Sequence, residues 1–509
     1  MPLSFYFLIF MSAFSLSCKL SKNVSKPKAH PVDRRVLGKG QPYGGTSFEI
    51  DKARLSMKHR RDKAWLAVKN LVAQVPIGSL SENFNPNGPK KIPLWQTFYE
   101  SSEFEQMFRQ LYKNLGPIGR RQQKRFCPSD LARILDDHAK KRLSFVYSER
   151  KFNERLGQFD SVEATRGVSG RGVTLFSPAI ILHLLQNYRE LAACSKTIQN
   201  LDRDAYGPSP DNFAPCLSQE FPSREFKKPA MDEYSHCQES ADSLLTDFQK
   251  VFDQGGVSVA VKTSWQEVTS SSQVAVFDTD ADSMKKTLED GEWTPSSYID
   301  STSLDPSEIY TIELINSLSA PIERARYQLT GLHFVTKDER DWLWISLFWS
   351  PDASEDLGAD RPSDLQETPW KNYKMCVVSD YPEAIASPGE EFQKEHPDLA
   401  ATLEAIKDHA KFHTWCSNPY IEQGKGNART NCIGCHQHGG TNESSGAIFL
   451  DDPKDPLNAQ RRLRFPHSSR SKVRNNFPAD YLWSLRHNPD FFDAKIKKTI
   501  DKWKAIDGL

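Results

Sequence analysis

Residues 342–349 read Trp-Leu-Trp-Ile-Ser-Leu-Phe-Trp, and this octapeptide has the pattern of a strand that is covered on both sides. Its even-numbered positions carry three aromatic rings and one serine, and its odd-numbered positions carry only large apolar side chains. Residues 257–268 (VSVAVKTSWQEV), 310–315 (YTIELI) and 331–337 (GLHFVTK) share its β-branched and aromatic enrichment. Together these segments predict an antiparallel sheet, a β-sandwich or small barrel, from about residue 250 to residue 380.

Helical patterns lie on both sides of this block. Residues 51–75, 131–143 and 178–194 repeat apolar side chains at helical spacing. Ser177 and Pro178 suit the N-cap and first turn of the third segment, and we interpret His183 within it as a core residue rather than a ligand. Residues 491–506 (FFDAKIKKTIDKWKAI) predict an amphipathic helix.

The chain of 509 residues balances 66 basic against 66 acidic residues, but the charges are unevenly distributed. Residues 19–150 carry a balance of +15, residues 231–420 one of −21 and residues 421–509 one of +5. The hydrophobic content of 38% excludes a mainly disordered chain and a polytopic membrane protein. The zero net charge argues against a nucleic-acid binder.

The N-terminal segment has features of a secretory signal. Residues 3–16 are almost wholly apolar but too short for a bilayer span, which suits the apolar core of a signal peptide. The usual positive charge before that core is missing, since no Lys or Arg precedes Lys19. Residues 15–18 (Ser-Leu-Ser-Cys) resemble a bacterial lipobox, in which Cys18 becomes lipidated. Ordinary cleavage nearby and secretion without a lipid is the alternative.

The nine cysteines divide into three groups. Cys18 is the lipid candidate, and Cys432 and Cys435 belong to the motif described next. An exported chain with six further cysteines is compatible with three disulfides, and Cys216–Cys237 and Cys376–Cys416 are plausible local pairs. Buried thiols are the alternative. The six are Cys127, Cys194, Cys216, Cys237, Cys376 and Cys416.

Residues 432–436 read Cys-Ile-Gly-Cys-His, which is the attachment motif of c-type haem. The Cys432 and Cys435 thiols would add to the two porphyrin vinyl groups, and His436 would become an axial iron ligand. A redox dithiol or half of a zinc site are the competing interpretations, although no second C-x-x-C is present. We therefore predict one covalently attached haem c.

The sixth iron ligand stays open at this point. No methionine follows His436, so the common Met ligand is not available downstream. His438 is unsuitable, because on a helix it would point away from His436. Two bound histidines would favour electron transfer, whereas an open position would favour ligand binding or peroxide chemistry. The candidates are His333, His409, His413, His467, His487 or no residue.

Half of the chain, roughly residues 255–485, resembles a group of poorly characterised secreted bacterial cytochrome c-like proteins. The matching pieces are AVKTSWQEV (260–268), LTGLHFVTK (329–337), WLWISLFW (342–349) and NCIGCHQHGG (431–440). The resemblance implies export and haem binding without an established substrate. Lys262, Trp265 and His333 within these pieces would be either site residues or framework.

The combined prediction is an α+β multidomain protein with an N-terminal helical region, the central β-sandwich or barrel and a C-terminal, mainly α, cytochrome c-like domain. The predicted units are a signal peptide (1–18), a tether (19–48), a helical domain (49–230), a β-rich domain (231–385) and a haem domain (386–509).

The predicted function is electron transfer by an exported c-type haem protein, with a redox protein or a small molecule as donor or acceptor. The basic segment 461–474 would dock an acidic redox partner or meet a haem propionate. The alternative is a haem enzyme, peroxidase-like or acting on a small molecule, whose β-rich domain forms the distal pocket. A surface interaction module with a redox tail is the third interpretation.

Overall fold

The computed structural model places a six-stranded antiparallel sheet at the centre of the molecule. The structure describes residues 57–76, 91–142, 149–160, 172–192, 231–238, 257–316, 318–338, 342–379, 389–409, 415–423, 426–429, 432, 436 and 492–508. The predicted signal peptide and tether lie outside these residues. None of the described helices is both long and apolar enough to cross a membrane.

Ten helices and ten strands have defined bounds within these ranges. The helices are α1 (Met57–Val72), α2 (Ser101–Asn114), α3 (Gly116–Arg121), α4 (Pro128–Arg142), α5 (Glu149–Asp160), α6 (Pro178–Gln186), α7 (Ala281–Asp290), α8 (Glu390–Glu395), α9 (Pro397–His409) and α10 (Phe492–Asp507). The strands are β1 (Gln74–Pro76), β2 (Lys91–Pro93), β3 (Thr174–Phe176), β4 (Val259–Glu267), β5 (Gln273–Val276), β6 (Ser297–Asp300), β7 (Thr311–Asn316), β8 (Glu323–Thr336), β9 (Leu343–Trp349) and β10 (Tyr373–Val378).

The main sheet has the strand order β10-β9-β8-β4-β3, and β7 pairs with the first half of β8. Two other pairs, β1–β2 and β5–β6, form separate two-stranded sheets. The prediction of a β-sandwich or barrel is therefore wrong for the described residues. Strands β4, β7, β8 and β9 were predicted, but apolar faces do not reveal whether a second sheet or helices will cover them.

The N-terminal region contributes to the sheet as well as to the helical layer. Strand β3 pairs with β4 through Thr174 opposite Lys262, and Tyr99 forms a β-bridge with Phe176. The prediction of a helical N-terminal region is wrong in this part, because the three-residue strand β3 is too short to show a periodic pattern. Helix α6 does begin at Pro178 with Ser177 as its N-cap residue, as predicted, and His183 is buried within it.

The C-terminal helix α10 packs against the N-terminal helices. The Phe492 ring centroid lies 4.8 Å from that of Phe104 in α2 and 4.8 Å from that of Phe176 in β3. Arg120 in α3 forms a buried ion pair of 2.6 Å with Asp507. The predicted mainly α, cytochrome c-like domain is therefore not seen in the described residues after 386, because their last helix is bound to the opposite end of the chain. The predicted domain boundaries stay predictions.

One predicted disulfide is present and the other is wrong. Cys376 is bonded to Cys416, 40 residues away, as expected from their proximity in sequence. Cys237 is bonded to Cys127 across 110 residues and not to Cys216, because folding brings the start of α4 beside residues 231–238. Cys194 and Cys216 lie outside the described residues.

Candidate functional site

One face of the main sheet carries a lateral row of polar and sulfur-containing side chains. Lys262 of β4 lies opposite His333 of β8 in the strand register. On its other side His333 lies opposite Ser346 of β9, which in turn lies opposite Cys376 of β10. Register partners in an antiparallel sheet present their side chains on the same side, so these four residues share one face. We call it the site face.

A covering segment, residues 415–423, lies across the site face. The Cys376–Cys416 disulfide ties it to the edge strand β10. The Asn418 side-chain amide donates to the Ser346 hydroxyl at 3.0 Å and to the Leu347 carbonyl at 2.9 Å. The Ser264 hydroxyl donates to the Tyr420 carbonyl at 3.3 Å. The segment is therefore held to three strands by a covalent bond and by hydrogen bonds.

Gly331 of β8 allows this close approach. A Cβ atom at this position would lie 2.9 Å from Oδ1 of Asn418 and 3.2 Å from Cβ of Tyr420. The absence of a side chain at Gly331 therefore sets the distance between the sheet and the covering segment.

Glu422 brings a carboxyl group from the covering segment to His333. One carboxyl oxygen accepts from the Asn418 N–H, and the other, Oε1, lies 3.4 Å from His333 Nε2. Burial raises the pKa of Glu422 to about 7, against the opposing effects of the Asn418 N–H and of Lys262. The Glu422 side chain keeps 18% of its surface exposed. A neutral carboxyl form is thus strongly populated near neutral pH.

His333 is 8% exposed, and burial lowers its pKa well below the usual value, with Lys262 and His436 acting in the same direction. The imidazole is therefore neutral at neutral pH, and its contact with Glu422 is not an ion pair. Nε2 of His333 is buried and has no hydrogen-bond partner among the described residues. Buried polar atoms in proteins usually have a partner, so this nitrogen calls for an explanation.

Two residues of the predicted haem motif are described, and both lie at the site face. Cys432 is 7% exposed, its sulfur lies 3.9 Å from the Cys416 carbonyl oxygen, and it belongs to neither disulfide. His436 is half-buried, and its ring centroid lies 4.5 Å from the Trp344 ring of β9. A thiol and an imidazole are two of the three side chains that the C-x-x-C-H motif supplies. Cys435 lies outside the described residues.

The structure brings four of the predicted site residues together and separates one from them. Cys432, His436, His333 and Lys262 all belong to the site face or its cover. Trp265 lies on the opposite face of the sheet. Its Nε1 donates to the Thr263 hydroxyl at 2.7 Å, and its ring is 6.4 Å from that of Trp95, so Trp265 is a core residue. Outside the described residues lie His413, His438, His467, His487 and the side chain of His409.

Sequence reasoning missed Glu422 and Trp344 as site residues. The Asn418-Pro419 dipeptide marks a turn, so a sharp reversal before Glu422 was detectable. No sequence signal connects that turn to β8, which lies about 90 positions earlier in the chain. Trp344 was predicted as a strand residue, but its contact with His436 depends on the path of the chain between them.

A second cluster contains side chains of the types that bind metals, but its two cysteines are joined in a disulfide. The donor atoms of Cys127, His236 and Cys237 lie within 4.8 Å of one another. The two sulfur atoms are bonded to each other in the disulfide and are not available as thiolate ligands. His236 Nε2 lies 2.9 Å from the Arg125 carbonyl. This cluster therefore has a structural role, since its disulfide joins the start of α4 to residues 231–238.

Comparison with protein-family models, with curated proteins and with solved structures finds no match. The resemblance to secreted cytochrome c-like proteins therefore rests on the quoted sequence segments alone.

Proposed function

We propose that this chain is an exported c-type haem protein that acts in electron transfer. Cys432 and Cys435 would bind one haem covalently, and His436 would be an axial iron ligand. The observation that carries the proposal is the Cys-Ile-Gly-Cys-His sequence, whose first and last residues lie together at the covered face of the sheet.

The surrounding residues suit this role. A bound haem supplies reversible one-electron chemistry at its iron. Trp344 packs against the His436 ring and restricts its orientation. The covering segment, held by the Cys376–Cys416 disulfide, screens the sheet side of the site from water. Restricted ligand motion and reduced solvent access both favour fast electron transfer, because little rearranges when the charge changes.

Export is supported by the cysteine chemistry and by the N-terminal pattern. Two disulfides, Cys127–Cys237 and Cys376–Cys416, are the bonds that an oxidising compartment maintains. We place the protein in the periplasm or cell envelope, with a lipid anchor at Cys18, and secretion without the lipid as the alternative. Its partner would be a redox protein or a small electron donor or acceptor, with no role for nucleic acid.

The test of haem attachment uses the full chain co-expressed with the c-type haem maturation machinery. We expect the wild-type protein to keep one haem through denaturing electrophoresis, detected by haem staining and by mass. The C432S/C435S double variant should lose it completely. The C127S/C237S variant, which also lacks two cysteines, should keep it. A wild-type protein that carries zinc, or no covalent group, contradicts the proposal.

A haem enzyme is the second candidate, and one observation favours it. His333 and Glu422 are buried groups of the acid–base type beside His436. In a peroxidase-like enzyme His333 would transfer protons to or from the substrate. Steady-state turnover of peroxide by the wild-type protein, abolished in His333→Ala, would establish this function. Absence of turnover with any peroxide or small oxidant would reject it.

A further inference from the structure

We propose that the outer edge of strand β6 (Ser297–Asp300) is a docking site for an extended, basic segment of a partner protein, which pairs with β6 as an added strand. This inference goes beyond the proposed function and does not depend on haem attachment. Three features of the edge support it: its unpaired backbone groups, the exposed ring of Tyr298 and the acidic residues on both sides of that ring.

The two ends of the main sheet show how this protein closes a strand edge. At β10, Arg61 Nη1 donates to the Met375 carbonyl at 2.7 Å, and Arg361 Nη2 donates to the Tyr373 carbonyl at 3.0 Å. At the opposite end, β3 exchanges two backbone hydrogen bonds, of 2.7 Å and 2.8 Å, with Tyr99. Because these backbone groups already have partners, these positions of the main sheet are closed to an added strand.

Strand β6 is different, because it pairs with β5 on one side only. The Ser301 N–H donates to the Ser272 carbonyl at 3.0 Å, so these two residues form a hydrogen-bonded pair of the ladder. Bonded and non-bonded pairs alternate along an antiparallel ladder, which makes Asp300 and Tyr298 members of non-bonded pairs. The N–H groups of both residues and the Tyr298 carbonyl therefore point away from β5. Within the described part of the chain these three groups have no hydrogen-bond partner.

Tyr298 places an exposed aromatic ring at the middle of this edge. Its side chain is 59% exposed, although large aromatic side chains are usually covered. Asp300 lies two residues later, on the same face of the strand, and is exposed. Ser296 precedes the strand, and its hydroxyl donates to the exposed Asp278 carboxylate at 3.0 Å. Carboxylates thus lie on both sides of the ring, where the stem of a lysine or arginine can pack on Tyr298 while its charge reaches an acid.

The charge around the edge decides which kind of partner fits. Residues 278–308 contain nine acidic and two basic residues. Among the residues that the structure describes, neither Asp278 nor Asp300 forms an ion pair, whereas Lys285 is 3.4 Å from Asp282. Pairing with a second copy of this chain would bring two such acidic edges together, and the like charges would repel. A basic segment gains from the same field, so charge complementarity favours a basic partner over self-association.

The added strand would follow the usual chemistry of strand addition. Its backbone would accept from the Tyr298 and Asp300 N–H groups and donate to the Tyr298 carbonyl, which supplies affinity without regard to sequence. Its lysine or arginine side chains, at alternate positions, would lie on the face that carries Tyr298 and Asp300, which supplies selectivity. Since β6 has only four residues, the contact is small and suits a transient partner.

The test measures binding of short fluorescein-labelled peptides to the full-length protein by fluorescence anisotropy. The probe alternates lysine and valine, and its acidic counterpart alternates glutamate and valine. We expect the basic peptide to bind and the acidic peptide not to bind. Hydrogen–deuterium exchange should show slower exchange of the Tyr298 and Asp300 amides when the basic peptide is present, which purely electrostatic attraction would not produce.

Tyr298→Pro removes an edge N–H that has no ladder bond, so the strand can tolerate the proline. This variant should bind the basic peptide about tenfold more weakly than the wild type. Tyr298→Ala keeps the N–H and separates the contribution of the ring. Asp300→Asn should weaken binding about threefold, whereas Asp62→Asn, at an exposed aspartate of α1, is the matched control and should not change it. A basic peptide with N-methyl groups on its edge-facing amides should not bind, and it keeps the test decisive if the proline variant does not fold.

Three results would overturn the inference. The first is absence of binding by the basic peptide, or equal binding by the N-methylated one, because the backbone edge would then have no part. The second is equal binding of the basic and acidic peptides, which would remove the charge selection. The third is a wild-type dimer in sedimentation that Tyr298→Pro converts to a monomer, which would assign the edge to a second copy of this chain.

Discussion

Two buried polar clusters lie against the same sheet, and they differ in how completely their atoms are paired. In the first, the Arg61 guanidinium of α1 donates to the Asp360 carboxylate at 2.6 Å and 2.7 Å and to the Met375 carbonyl at 2.7 Å. The Trp65 indole N–H adds a bond of 2.8 Å to Asp360. In the second, His333 and Glu422 approach to 3.4 Å, and Nε2 of His333 has no hydrogen bond to the described residues.

The electrostatics of the two clusters follow from this difference. Burial alone would raise the pKa of Asp360, but the charge and hydrogen bonds of Arg61 outweigh it and hold that pKa below its usual range. At Glu422 the charge of Lys262 and the Asn418 N–H do not outweigh burial, which raises its pKa to about 7. The first cluster keeps its charges and connects α1 to the edge strand β10. The second favours neutral forms and leaves Nε2 of His333 buried without a hydrogen bond to the described residues.

The largest loss of stability is expected when the Arg61–Asp360 cluster is broken. Asp360→Asn leaves the charge of Arg61 buried without a counter-ion, since the Arg61 side chain is only 1% exposed. Loss of one partner of a buried ion pair costs about 3–5 kcal/mol of the free energy of unfolding. Denaturant titration at neutral pH measures this loss.

Asp62→Asn is the matched control, because the Lys58–Asp62 pair is 52% and 53% exposed and its loss should cost less than about 1 kcal/mol. The Asp360 effect should also depend on pH. Because the pKa of Asp360 is lowered in the folded protein, its contribution is present above the ordinary aspartate pKa and is lost as the pH falls through the lowered value. Equal losses in the two variants would contradict the assignment of a structural role to Arg61 and Asp360.

A smaller change in stability is expected when Glu422 is replaced. Its pH dependence is opposite to that of Asp360. Because its pKa is raised from 4.5 to about 7, the stabilising contribution of the neutral carboxyl is complete below pH 4.5 and is lost as the pH rises through about 7. Glu422→Gln stays neutral and can still accept from the Asn418 N–H. The variant should match the wild-type stability in acid and exceed it by up to about 3 kcal/mol above pH 8.

The measurement is a series of denaturant titrations across this pH range. Glu404→Gln is the control, since Glu404 is 43% exposed beside Lys407 and should change the pH dependence little. Parallel stability curves for the wild-type protein and Glu422→Gln would show that folding does not raise the pKa of Glu422.

The smallest of the three effects is expected at Gly331. Its replacement by alanine puts a Cβ against Asn418 and Tyr420, so the covering segment must shift. We expect a loss of about 1–3 kcal/mol, which is typical of overpacking. The backbone amides of the covering segment should then exchange faster, which hydrogen–deuterium exchange of residues 415–423 would report.

Gly157→Ala supplies the contrast, because Gly157 is exposed in helix α5 and a Cβ there meets nothing within 4 Å. That substitution should stabilise the protein by up to about 1 kcal/mol. A Gly331→Ala protein as stable as the wild type would mean that the covering segment is not in tight contact with the sheet.

Much of the local structure was predictable from the sequence. Strands β4 and β9 lie within the predicted segments, β7 and β8 overlap theirs, and helices α1, α4, α6 and α10 correspond to the predicted helical patterns. These elements are long enough for an apolar period to show. Strands β3 and β10 and the pair β5–β6 were not predicted, because three to six residues carry little periodic information.

By itself, the sequence determined the order and type of the long elements, the alternation of side chains on β9 and the presence of the Cys-x-x-Cys-His motif. These are properties of neighbouring residues, and spacing along the chain records them directly. Only the tertiary structure decided that His333, Glu422 and His436 share one face of the sheet, that Trp265 is on the other, and that Cys237 is bonded to Cys127. Such contacts join positions from about 70 to 110 residues apart, and they depend on strand register and chain path, which no local pattern records.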